Sequence, residues 1–171
     1  MSKTIIFKGW SLFKITRFIA YLTERICASR PHHSKLAEEI IERCHRAADG
    51  LVRRSAVQWA YDANTLGELY TDPFWQLLGS ASAAAYWTVV WTREKHGRDR
   101  QEIAQYGLRA AEVVLQRAEE IVGVGPIAEV YLNMQYQEGV PLDYRDAAIA
   151  AFSVDHIELA DEIMQRVQCY T

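Results

Sequence analysis

Residues 73–92 read PFWQLLGSASAAAYWTVVWT: twenty residues without a charge, with Phe74, Trp75, Tyr86, Trp87 and Trp91 on either side of a small-residue run from Gly79 to Ala85. Asp72 and Pro73 mark its start as a helix, because the carboxylate accepts amide hydrogens that have no partner in the first turn and proline has none to orphan. Two settings suit such a helix. A bilayer would accept its length and its terminal aromatics, and small residues let membrane helices approach closely. Against this, Gln76, two serines and two threonines dilute the segment, alanine supplies much of the remainder, and no basic cluster marks its flanks. We therefore read a central helix covered on several sides by neighbours.

The flanking sequence supplies those neighbours. A third helix is expected over about Ser55 to Tyr70, just before Thr71-Asp72-Pro73. A second starts at Ser34, whose hydroxyl can cap it, carries Leu36, Ile40, Cys44 and Ala47 on one face and stops at Gly50. The first runs from about Ser11 to Ala28, with Leu12, Ile15, Ile19, Leu22 and Ile26 in one stripe, and Arg30-Pro31 ends it. Beyond Gly97, Asp99 is expected to cap a fifth helix whose stripe is Ile103, Gly107, Ala110, Val114, Ala118 and Ile121, ending at Gly123. Gly125-Pro126 opens a sixth to about Glu138, and Gly139-Val140-Pro141 breaks the chain. Helices near Leu142 to Phe152 and Ser153 to Gln168 follow, the last with Ile157, Ala160, Met164 and Val167 inward. Residues 1–10 are left extended or poorly ordered, Thr4 to Phe7 being the one strand-like stretch. The expectation is an all-α protein, one domain over residues 1–171, built as a bundle or as stacked antiparallel pairs of about seven to eight helices.

With 171 residues, half of them apolar, the chain can bury a core without disulfides or metal. Cys27, Cys44 and Cys169 are odd in number and widely spaced, which fits reduced thiols better than a secreted disulfide framework. Lys8, Lys14 and Arg17 interrupt the apolar residues near the start, unlike a signal peptide, so the expected location is the cytoplasm.

The net charge of -3 conceals a division. Up to Arg54 there are eleven Lys and Arg against five Asp and Glu, a balance of +6; from Ser55 onward eight basic residues face seventeen acidic ones, a balance of -9. Between Glu119 and Glu162 ten carboxylates face Arg145 alone. One reading neutralises this acidic third against the basic first third or leaves it facing water. The other makes it a surface for a basic protein partner, since complementary charge speeds encounter and selects partners. On the second reading the partner-binding residues are Glu129, Glu138, Asp143, Asp146, Asp155, Glu158, Asp161 and Glu162.

Catalytic and metal chemistry lack a complete set. Glu42 and His45 are three apart on one helix, with Glu38 a turn earlier, a spacing that can aim side chains at one metal ion. No second such pair exists: Glu94 and His96 fall on different faces, and Cys44-His45 lacks the paired cysteines of a zinc site. A metal protein or enzyme using Glu38, Glu42 and His45 is thus the alternative, and no enzyme, metal or cofactor is expected. Gly123-Val124-Gly125 has neither the lysine nor the preceding strand of a phosphate loop. Arg43, Arg46, Arg53 and Arg54 cluster, but a sequence pI near 6.0 argues against nucleic acid as partner. Trp10, Phe13, Phe18 and Tyr21 with Lys14 and Arg17 resemble an interfacial anchor, yet they accompany a bundle-type stripe, so no membrane partner is expected. A third reading is a homo-oligomer that self-associates through Trp75, Trp87 and Trp91.

The order of segments also carries a resemblance. A helix ending before Ser29-Arg30-Pro31, a next closing on Arg46-Ala47-Ala48-Asp49-Gly50, a third helix, then Asp72-Pro73 and an alanine-rich helix resemble the small all-helical immunity proteins of bacterial polymorphic toxin systems over roughly Phe13 to Val114. The chain departs from that pattern in its extra aromatic residues and its acidic C-terminal third. The resemblance implies a cytosolic neutraliser that binds a cognate toxin and performs no chemistry.

Overall fold

The Ser11 hydroxyl accepts the Lys14 amide at 3.2 Å and opens α1 (Leu12–Ala28), the helix that the aliphatic spacing predicts. The computed structural model describes residues 7, 9–30, 35–51, 56–69, 71–139 and 157–169. Among these no residue forms a strand, and six more helices follow: α2 (Lys35–Ala48), α3 (Val57–Leu69), α4 (Pro73–Arg93), α5 (Gly97–Val122), α6 (Val124–Gln137) and α7 (Ile157–Cys169). The all-α class is as expected. Ser34, Thr4 to Ile6 and the helix expected near Leu142 to Phe152 lie outside the described residues. The chain falls into two compact units, Trp10–Ile121 with α1 to α5 and a second containing α6 and α7.

In the first unit α4 takes the central place, packed by α1, α2 and α3. The Asp72 carboxylate accepts the Phe74 amide at 2.9 Å, with Pro73 at the first helical position, so the predicted start holds. Phe74, Leu77, Leu78, Ala81, Ala84, Ala85 and Val89 are buried. Leu77 and Leu78 are wholly buried, and burial on that scale stabilises by about 1.5–3 kcal/mol for each leucine. A charge on that surface would have to be desolvated, which accounts for the uncharged run. No helix among the described residues is long and apolar enough to cross a membrane.

Small residues set the helix spacing. A Cβ on Gly79 would stand 3.0 Å from the Ala63 carbonyl oxygen and 3.3 Å from the Leu66 Cβ, so α3 and α4 touch there nearly backbone to backbone. Gly107 of α5 receives Leu12, whose Cδ1 lies 2.7 Å from where a Cβ would be. The buried hydroxyls of Thr16, Thr23, Ser82 and Thr88 are paired. Thr88 Oγ1 donates to the Ala84 carbonyl at 2.8 Å, which uses its only proton, so the Thr16 hydroxyl donates to Thr88 Oγ1 at 2.6 Å and ties α1 to α4.

Local expectations on three helices need correction. Helix α5 begins at Gly97, so Asp99 lies inside its first turn and is not its cap; instead the Glu94 carboxylate accepts the Lys95 and His96 amides just ahead of the helix. Its buried stripe passes through Ala111 and Leu115, leaving Ala110 and Ile121 half-buried. Helix α6 begins at Val124 behind Gly123, whose φ of +74° breaks the chain between the two helices, so Gly125 and Pro126 already lie within the first turn. In α7 the buried positions are Leu159, Ile163 and Val167, whereas Met164 is half-buried. Ile157 and Ala160 of the expected stripe lie outside the residues whose burial is described.

Candidate functional site

The α6–α7 unit carries Glu129, Glu138, Glu158, Asp161 and Glu162 of the acidic third, whereas Glu119 and Glu120 lie on α5 in the first unit, where Glu120 pairs with Arg117. Helix α6 buries Ile127, Ala128, Val130, Tyr131, Leu132 and Met134, and α7 packs against it. With Leu159, Ile163 and Val167 committed inward, helical geometry sends the positions between them to solvent. Glu158, Asp161, Gln165 and Gln168 form that exposed stripe. The two carboxylates therefore stand in the N-terminal half of α7 and the two amides in its C-terminal half. Glu158, in the first turn, also has the sign that a helix N-terminus favours.

The remaining predicted residues have different surroundings. Glu162 is tied to Arg166, Oε1 to Nε at 2.9 Å, one turn along the same helix. Glu129 is half-buried, and Glu138 is exposed at the C-terminal cap of α6. Asp143, Asp146 and Asp155 lie outside the described residues. The structure thus brings Glu158 and Asp161 onto one face and leaves Glu162 partly compensated.

Cations of the basic first third pair with acids of their own unit. Arg17 meets Asp49, Arg46 meets Glu42 at 2.7 Å, and Arg43 meets Asp62 at 2.9 Å. The Arg43–Asp62 pair is the most enclosed, its side chains 13% and 22% exposed. Arg43 also donates to Ser82 Oγ at 3.2 Å and lies over the Trp59 ring, so one guanidinium joins α2, α3 and α4. These contacts fix the helices that cover α4.

The alternative trio does not converge. Glu38 is exposed and Glu42 turns to Arg46. His45 is held by α1: Arg17 Nη1 lies 2.8 Å from Nδ1, and Glu24 meets Nε2. Since guanidinium can only donate, Nδ1 accepts and the Nε2 proton points to Glu24. Among the described residues no group of three or more His, Cys, Asp or Glu side chains is placed to hold a metal ion. Burial pushes the Cys27 thiol up to about 11 and the Cys44 thiol up to about 12, and Cys44 donates to the Ala81 carbonyl. Both are core thiols, not nucleophiles.

The tryptophans are engaged within the first unit. Trp91 meets Phe13 edge-on at 5.3 Å and lies under the Arg100 guanidinium at 3.8 Å; Trp87 packs on Tyr106 at 4.9 Å. Trp75 meets the Phe74 ring. Sequence reasoning missed one feature, a cleft of about 330 Å³ where α3, α4 and α5 converge. Its signal was present as the Gln76, Gly79, Ser80 and Ala83 spacing on α4, but only the fold brings Arg117 to it. Comparison of the chain with protein-family models, with curated proteins and with solved structures finds no match.

Proposed function

We propose that the chain is a non-enzymatic protein-binding module whose acidic C-terminal third receives a basic protein partner, a toxin if the resemblance of residues 13–114 to immunity proteins holds. One observation carries this. Glu158 and Asp161 stand exposed opposite the packed face of α7, while Arg17, Arg43 and Arg46 are matched by Asp49, Asp62 and Glu42 inside their own unit. These three guanidinium charges are used within their own unit, which supports reading the exposed α7 carboxylates as a field for an outside molecule. Over distances near 10 Å such a field steers encounter at ordinary ionic strength.

A binding role is supported over a catalytic one by the state of the reactive groups. His45 has a partner at each ring nitrogen, and the thiols of Cys27 and Cys44 are protonated and enclosed. The products of genes adjacent to this one are the natural partners to try. Each is co-expressed with the tagged chain and tested for co-purification, in parallel with E138Q/E158Q/D161N. A basic protein that co-purifies with the wild type and is lost at moderate salt or with the triple variant supports docking. A partner retained equally by both forms sinks it.

A further inference from the structure

His45 lies in the seam between α1 and α2, within the Trp10–Ile121 unit. Its side chain is 24% exposed, open enough for water to deliver a proton and enclosed enough to have fixed neighbours. Three of these come from α1. Arg17 Nη1 lies 2.8 Å from Nδ1, the Glu24 carboxylate meets Nε2, and the Tyr21 ring meets the imidazole at 5.3 Å, edge to face. On α2, Asp49 stands one turn further along and holds Nη2 of the same guanidinium, while Glu42, almost one turn back, is taken by Arg46. Helix α4, which packs on both, carries no charged side chain from Pro73 to Thr92.

These contacts make the network conditional on one proton. A guanidinium has only donors, so Nδ1 must offer its lone pair, and the ring is the neutral tautomer with its proton on Nε2. A second proton can enter only at Nδ1. There it would set N–H against N–H and an imidazolium against a guanidinium, so the Arg17–His45 bond does not survive it. Nothing else in the network has to break: the Nε2 proton stays on Glu24, now within an ion pair, and Arg17 keeps Asp49. Histidine is the side chain whose charge ordinarily changes between about pH 5 and 8.

We propose that the Arg17–His45 contact is a pH-operated latch in the seam between α1 and α2. With His45 neutral, the guanidinium is gripped at two points, Nη1 on His45 and Nη2 on Asp49, and is fixed in place. One proton taken from water onto Nδ1 breaks the first grip. Arg17 is then tethered to Asp49 alone, and Nη1 turns to solvent. The latch lies in the first unit and does not rest on the docking reading of α7.

The test is NMR of the isotope-labelled full chain from about pH 8 to about pH 5, following the His45 ring nitrogens, assigned through H45N, and the Arg17 side-chain N–H signals. At the alkaline end His45 should carry its proton on Nε2, and rotation of the Arg17 Nη1 group should be slow. Through the His45 titration that rotation should quicken several-fold, with the same midpoint. R17M removes the cation facing Nδ1 and should raise the proton affinity of His45 about threefold or more; E24Q removes the anion at Nε2 and should lower it by a similar factor. H45N places a non-titrating amide near the position of Nδ1, so Arg17 should keep one state across the range. Variants are read only where their amide spectra keep the wild-type pattern, and the wild-type titration decides without them. A proton on Nδ1 at the alkaline end, Arg17 signals that ignore the His45 midpoint, or the same Arg17 transition in folded H45N would overturn the proposal.

Discussion

The close approach of α3 and α4 makes opposite predictions for two glycines that lie one on each helix. Neither Gly67 nor Gly79 needs a left-handed backbone, so alanine at either position gains up to about 1 kcal/mol from helix propensity and from a less flexible unfolded chain. At Gly67 a Cβ meets nothing within 4 Å, and the whole gain should appear. At Gly79 the new methyl would face the Ala63 carbonyl oxygen at 3.0 Å, the Leu66 Cβ at 3.3 Å and the Gly67 amide nitrogen at 3.5 Å. Two of these are backbone atoms and cannot rotate aside. Helix α3 itself is pinned to α4 by Ser82 donating to the Trp59 carbonyl at 3.0 Å, and to α2 by the Arg43–Asp62 pair. The methyl must therefore push α3 outward, and overpacking of this kind costs about 1–3 kcal/mol. The propensity gain cancels between the variants, so Gly67→Ala should be more stable than Gly79→Ala by about 1–3 kcal/mol. Urea unfolding followed by tryptophan fluorescence reads this cleanly, because all five tryptophans lie in the Trp10–Ile121 unit. Equal stability of the two variants would refute the close approach of α3 to α4.

Further outcomes follow from the core. Thr88→Val should destabilise by about 1–3 kcal/mol, because it leaves the buried Thr16 hydroxyl without its acceptor; in denaturant titrations the Thr16→Val/Thr88→Val double variant should recover part of that loss. Cys27 and Cys44 should resist iodoacetamide at pH 8 in the folded protein and react once urea unfolds it, as peptide mass spectrometry can show. Their thiol pKa values, raised by burial from 9.0 to about 11 and about 12, mean that the unfolded state loses these protons first. The stability they contribute is therefore complete below pH 9 and fades as pH rises through 11 to 12. Replacing both by alanine should flatten that part of the alkaline decline in a stability profile.

Much of the fold was legible because the segments that decide it have strong local signals. Asp72-Pro73 fixes the start of α4, Ser11 caps α1, and Gly50 and Gly139 stand at positive φ just past helix ends. The errors arise where two signals compete within a few residues. Asp99 is a good cap by type, but Glu94 already captures the amides in front of Gly97, and the helix starts earlier. On α7 the expected stripe put Met164 inward, but packing buries its neighbour Ile163 instead. The candidate site was legible as charge and not as geometry. Counting carboxylates cannot tell that Glu162 is compensated by Arg166 whereas Glu158 and Asp161 are exposed. Nor does the spacing of Glu42 and His45 reveal that Arg17 and Glu24, both far off in the chain, take the histidine for α1. Such pairings join helices whose mutual register no local pattern encodes.

Stopped-flow association of the co-purifying basic partner with the wild type and with E138Q/E158Q/D161N, across a salt series, would examine the docking face itself. The wild-type rate constant should fall steeply as salt rises, and the variant should start about tenfold lower at low salt and converge with the wild type at high salt. Identical low-salt rate constants for the two proteins would contradict the role assigned to these carboxylates.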